Sequence, residues 1–134
     1  MYEIHGWIRL AESPDDIDEG ELDAKVDRLA TLVAAVPLPG GLFELLAVNG
    51  SRTLVVHIDT NRRRPGLEHA LDEILAFVTG ELPGSYGVLY EYDEQDRVHH
   101  GRGVFSVRVV KRGRCEPALD PFLSPLVPVA ENPS

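Results

Sequence analysis

LFELLAVNGSRTLVVHI, residues 42–58, holds two apolar runs separated by a polar dipeptide. Asn49-Gly50 suits the positive backbone angles of a tight two-residue turn, so Leu42–Val48 and Thr53–Ile58 read as the strands of a hairpin. On the N-terminal side, Leu22, Val26, Leu29, Val33 and Val36 recur at helical spacing until Pro37 and Pro39 end the pattern. That predicts a first helix ending near Val36. On the C-terminal side, Asn61-Arg62-Arg63-Arg64-Pro65 leads into a second helical stripe of Leu67, Leu71, Ile74, Leu75 and Val78, with Gly80 as its terminator.

The ends of the chain supply more strands. From Tyr2 to Leu10, Tyr2, Ile4, Gly6, Ile8 and Leu10 alternate with Glu3, His5, Trp7 and Arg9, the pattern of a strand with one buried face. Pro83-Gly84 turns the chain into a fourth strand, Tyr86–Tyr92, and Arg102–Lys111 makes a fifth. The order is β-α-β-β-α-β plus one strand, which predicts an α+β, ferredoxin-like split β-α-β sandwich: an antiparallel sheet with two helices on one face. From about Glu116 a proline-rich tail is expected to run extended over a single domain spanning residues 1–134.

Such a sheet leaves one face open. His5, Trp7 and Arg9 are expected there, joined by Tyr86, Tyr90 and Tyr92 if the strands hold the assumed register; a slip of one residue exchanges the faces. Glu91, Asp93, Glu94 and Asp96 adjoin those tyrosines. Tyr and Trp supply rigid contact area at low entropic cost, so the cluster is a candidate protein-binding patch, with core aromatics and an acidic turn as the alternative.

Thirteen Lys and Arg against 22 Asp and Glu give a formal net charge of −9. The mean field repels phosphate backbones and anionic lipid heads, so neither nucleic acid nor a membrane is an expected partner. It speeds encounter with a basic protein, or serves solubility alone. Asp15, Asp16, Asp18, Glu19, Glu21 and Asp23 have a sufficient structural reason, since they precede or open a helix whose dipole favours them. Arg62-Arg63-Arg64 reads as a solvated loop that offsets neighbouring acids. Cys115 is the only cysteine, which excludes an intrachain disulfide and a cysteine-rich metal site. With no basic leader before an apolar stretch and no run of about 18 apolar residues, a cytoplasmic protein is expected.

No constellation of residues announces catalysis. His5, His57, His69, His99 and His100 include no helical pair at the four-residue spacing of metal hydrolases, so no metal and no cofactor are expected. His57 and His69 read as partly buried, hydrogen-bonded side chains. Gly84-Ser85-Tyr86-Gly87 lacks the nucleophile elbow, and Arg114 beside Cys115 is a weak reason to expect a reactive thiol. An enzyme would need His5, His57, Tyr86 or Cys115 to converge in one cleft. A small-ligand regulatory module dimerising through its sheet is the other alternative.

Three blocks carry a family resemblance: EIHGWIRL (residues 3–10), GSYGVLYEYD (84–93) and DPFLSPLVP (120–128). In this order and at these separations the chain, from Tyr2 to about Pro128, resembles the immunity protein 7 family of bacterial polymorphic-toxin systems. It departs at Leu126, where the family's tail block often carries a cysteine. The resemblance implies a small α+β protein that protects its producer by binding a cognate toxin domain, without metal or catalytic residues. The positions that match are Gly6, Trp7, Gly84, Ser85, Tyr86, Gly87, Tyr90, Asp120, Pro121 and Phe122. If the toxin is a basic nuclease, Glu91, Asp93, Glu94 and Asp96 could enter its phosphate cleft as a polyanion mimic. Homo-oligomerisation stays open.

Overall fold

In a computed structural model of the chain, residues 2–13, 20–36, 41–60, 65–93 and 106–119 are described. The elements are β1 (Tyr2–Leu10), α1 (Leu22–Ala34), β2 (Gly41–Val48), β3 (Ser51–Thr60), α2 (Pro65–Glu81), β4 (Tyr86–Asp93), β5 (Ser106–Lys111) and β6 (Arg114–Leu119). They form an α+β fold with one six-stranded sheet in the order β2-β3-β1-β4-β5-β6, every neighbouring pair antiparallel.

The hairpin of residues 42–58 forms as its turn dipeptide dictates. Asn49 (φ 51°) and Gly50 (φ 81°) both take positive φ, the type I′ geometry whose twist matches the strands it joins, and Val48 pairs with Ser51. A second turn of the same kind, at Arg112 (φ 49°) and Gly113 (φ 73°), joins β5 to β6. Residues 114–119, where the extended tail was expected to begin, are an edge strand, and the rest of that tail, from residue 120, lies outside the described residues. Proline cannot donate to a ladder, so Pro117 is tolerated in a strand only where its nitrogen faces away from the neighbour. Counting from the turn, in which Lys111 C=O meets Arg114 N–H, the residues bonded to β5 are Arg114, Glu116 and Ala118. Pro117 therefore points its donor-free nitrogen outward, where nothing is lost.

α1 and α2 cover one face of the sheet. Val26 and Leu29 of α1, and Leu67, Leu71, Ile74, Leu75 and Val78 of α2, close over Tyr2, Ile4, Ile8 and Leu10 of β1, Leu54, Val56 and Ile58 of β3, and Leu89 and Val110. Each fully buried aliphatic side chain here contributes roughly 1.5–3 kcal/mol relative to exposure. α1 stops at Ala34, slightly before the expected end, and α2 runs through Gly80 to Glu81 before Leu82 N–H bonds to Val78 C=O at 2.9 Å.

β1 and β4 approach each other unusually closely on this covered face. A Cβ at Gly6 would meet the Val88 carbonyl oxygen and lie 2.8 Å from Leu89 Cα; a Cβ at Gly87 would meet the Trp7 carbonyl oxygen and lie 2.6 Å from Ile8 Cα. The obstacles are backbone atoms, so no side-chain rotation relieves them. Gly87→Ala should therefore destabilise the fold by about 2 kcal/mol or more in urea denaturation, and Gly6→Ala likewise. A change within about 0.5 kcal/mol would mean that the strands separate freely.

Candidate functional site

Register decides which residues share the open face. Arg9 pairs with Tyr86, Trp7 with Val88, His5 with Tyr90 and Glu3 with Tyr92, while on the other side of β1 the partners are Thr53, Val55, His57 and Asp59. Because directly opposed residues lie on one face, His5, Trp7, Arg9, Tyr86, Tyr90 and Tyr92 all fall on the side away from the helices. The same rule places Leu46, opposite Thr53, and Val48, opposite Ser51, on this face. One row across four strands reads Leu46, Thr53, Arg9, Tyr86.

The exposed large hydrophobic residues among the described ones are Trp7 (43%), Leu46 (37%), Val48 (58%) and Tyr86 (45%), and all four are on this face. Trp7 and Tyr86 meet edge to face with centroids 6.0 Å apart and planes at 87°, and Arg9 Nη1 donates to the Tyr86 hydroxyl at 3.4 Å. An aromatic contact of this geometry is worth about 0.5–1.5 kcal/mol, which holds both rings in place before any partner arrives. Tyr90 is half-buried, and Tyr92 is buried although it lies on the same side of the sheet.

The acidic part of the expected patch is corrected. Glu91 pairs with Ile4 and Asp93 with Tyr2, on the helix-covered face, and they are 6% and 7% exposed. Strand alternation separates them from the tyrosines that they adjoin in sequence. Glu91 Oε2 accepts from the Tyr2 hydroxyl at 3.0 Å and lies 3.7 Å from Arg108 Nη2, while Arg108 Nη1 bonds Asp72 of α2 at 3.0 Å. Burial alone would lower the Arg108 pKa, but the hydrogen bond to Asp72 and the charges of Glu91 and Asp72 outweigh it and hold the guanidinium more firmly protonated than usual. Glu94, Asp96, Asp120, Pro121 and Phe122 lie outside the described residues, as do Arg62-Arg63-Arg64, His99 and His100.

The remaining motif positions serve the fold. Ser85 is buried, and its Oγ accepts from Ala11 N–H at 3.1 Å; a Cβ at Gly84 would strike the Ser13 backbone. Together they clamp the end of β1 to the start of β4. Cys115 is on the helix side of edge strand β6, where burial raises its thiol pKa against the lowering effect of Arg108, not Arg114, so the thiol is held in its less reactive form.

Two features were not legible in the sequence. His5 and His57, directly opposed, bring their Nδ1 atoms to 2.9 Å with ring centroids 4.6 Å apart, and Glu3 Oε2 sits 3.3 Å from His5 Nε2. His57 is thus hydrogen-bonded but exposed, and His69, also exposed, reaches Glu73 at 2.8 Å; neither is the partly buried residue expected. The second feature is Glu12, whose buried carboxylate accepts the N–H of Glu21, the residue that opens α1, at 2.9 Å. Among the described residues no group of three or more His, Cys, Asp or Glu could hold a metal ion, and no helix is long and apolar enough to cross a membrane.

Two outcomes are expected from this geometry. Glu3 selects the tautomer of His5 that carries hydrogen on Nε2, leaving Nδ1 to accept from His57, so nitrogen NMR of the neutral rings should show His5 as the Nε2–H form and His57 as the Nδ1–H form; the reverse assignment would contradict the geometry. Arg108→Met removes the cation beside the buried Glu91 carboxylate and the link to Asp72 of α2, and should cost about 2 kcal/mol in denaturant unfolding, whereas Arg114→Met, on an exposed side chain, should cost little.

Residues 1–132 match the family model described as Immunity protein 7. No curated protein and no solved structure matches the chain. The match spans almost the whole sequence and includes the blocks at residues 3–10, 84–93 and 120–128. The chain belongs to the immunity protein 7 family.

Proposed function

We propose that this immunity protein works as one binding domain that neutralises a cognate polymorphic-toxin domain in the producing cell's cytoplasm by direct contact, without catalysis of its own. The observation that carries this reading is the gathering of Trp7, Tyr86, Leu46 and Val48 on the sheet face that the helices leave uncovered. Monomeric proteins rarely leave several large apolar side chains together on one face without a partner, and rigid aromatic rings are the side chains that most often dominate binding energy. Trp7 and Tyr86 are the proposed anchors. Arg9, which braces Tyr86, and His5 with Tyr90 in the adjoining row form the proposed polar surround.

Charge has a different role from the mimicry that the acidic run suggested. The open face carries both signs, with Glu3, Glu44, Asp59 and Glu116 against Arg9, Lys111 and Arg114. The acid surplus lies elsewhere, notably on α2, which holds four acids and no lysine or arginine of its own, although Asp72 pairs with Arg108 and Glu81 with Lys25 and Arg28 of α1. A net charge of −9 therefore steers a basic toxin, such as a nuclease, toward the molecule from a distance, while the aromatic face provides the grip.

The test starts from the coding sequence next to this protein's own, where this reading expects a C-terminal toxin domain. Co-expression should protect the cell, and the two domains should co-purify. Trp7→Ala and Tyr86→Ala should each weaken binding by roughly 10- to 100-fold, mainly through faster dissociation, with the thermal unfolding transition lowered only by the few degrees that loss of their mutual contact implies. Unchanged affinity in both variants would exclude this face.

A further inference from the structure

The two edges of the sheet are built differently. β6, at one edge, has the sequence RCEPAL, with Arg114, Glu116 and an outward Pro117, devices that blunt an edge against pairing with another strand. β2, at the other edge, is GLFELLAV, eight residues with a single charge and no proline. Among the described residues no strand pairs with its outer side.

The turn fixes which groups on β2 are available. In a two-residue turn the flanking residues Val48 and Ser51 bond to each other, so Val48, Leu46 and Glu44 direct their N–H and C=O groups toward β3. Phe43, Leu45 and Ala47 direct theirs outward. The exposed side chains of Leu46, Val48 and Glu44 stand beside that row of donors and acceptors, on the same face as Trp7 and Tyr86.

Resting on the toxin-binding function proposed above, we infer that the outer edge of β2 receives an extended strand of the toxin, which continues the sheet as a seventh strand while the rest of the toxin covers the Trp7–Tyr86 face. The strand that fits has apolar side chains against Leu46 and Val48 and a lysine or arginine opposite Glu44, which has no cationic partner among the described residues. A second copy of this chain fits less well. Gly41 has the same outward parity, and self-pairing in the register that uses all four outward residues, Gly41 with Ala47 and Phe43 with Leu45, sets Glu44 against Glu44 of the second copy, between two molecules that each carry a net charge of −9. The continuity of Leu46 and Val48 with the aromatic face favours a partner that engages edge and face together.

Amide hydrogen exchange on the nitrogen-15-labelled protein tests this directly, free and bound to the cognate toxin domain. In the free protein the Phe43, Leu45 and Ala47 amides should exchange quickly while Glu44 and Leu46 are protected; in the complex the first three should slow at least about tenfold, as hydrogen-bonded strand amides do. Ala47→Pro removes one outward donor at an exposed position, copying Pro117, and should weaken toxin binding by about 5- to 30-fold without loss of fold. Leu46→Pro, which breaks a bond to β3, should unfold the hairpin instead. If the toxin binds while the three amides stay fast, the edge inference fails and the binding function stands. Slowing that grows with protein concentration in the absence of toxin identifies a second copy as the occupant and overturns it. Absence of any toxin binding overturns the function together with the inference. Should Ala47→Pro not fold, the exchange comparison on the native sequence decides alone.

Discussion

The close approach of β1 to β4 constrains everything else in this protein. β1 is the third of six strands, and its contact with β4 needs glycine on both sides, at Gly6 and Gly87, because backbone occupies the space a Cβ would take. With that contact made, Tyr2, Ile4, Ile8 and Leu10 fall beneath the helices, and Trp7 and Arg9 fall opposite Val88 and Tyr86 on the uncovered side. A register shifted by one residue would put Trp7 under α1 and α2 and leave Ile8 in water, at a cost of several kcal/mol for the whole strand. The constraint that seals the core therefore also assembles the patch.

That coupling explains how conserving a fold and binding a partner divide among neighbouring residues. In Gly84-Ser85-Tyr86-Gly87 the two glycines and the serine hold backbone against backbone, and Tyr86 alone projects outward. Trp7 stands likewise beside Gly6. Arg108 and Glu91 carry charge, yet they tie α2 to the sheet through Asp72 and Tyr2. An acid surplus on α2 and an aromatic surface on the sheet can serve attraction and adhesion separately.

Much of the fold was legible because its signals were local. Asn49-Gly50 announced a hairpin, the alternation of Tyr2–Leu10 announced a one-faced strand, and the Leu67–Val78 spacing announced a helix; each appears where expected. β6 was hidden because two local rules pointed the wrong way. Arginine rarely takes the positive φ that Arg112 adopts, and Pro117 argues against a strand unless its nitrogen is known to face away from the neighbour. At the site, the open-face assignment of His5, Trp7, Arg9, Tyr86, Tyr90 and Tyr92 followed from alternation plus register. Glu91 and Asp93 were misjudged because adjacency in sequence was given more weight than the strand's two-residue period, which sends them to the opposite face. The His5–His57 contact joins residues 52 positions apart, and its pairing depends on the hairpin's exact extension, which no local pattern carries.

The central claim is that the uncovered sheet face, not the acidic helix α2, holds the toxin. The most direct measurement is a map of NMR chemical-shift changes on titrating the proposed cognate toxin domain. The account predicts changes concentrated at the Trp7 indole, Tyr86 and neighbouring residues of β1, β2 and β4, with the outer residues of α2 little affected. Changes confined to Glu68, Asp72, Glu73 and their neighbours on α2, with the Trp7 indole unmoved, would contradict it.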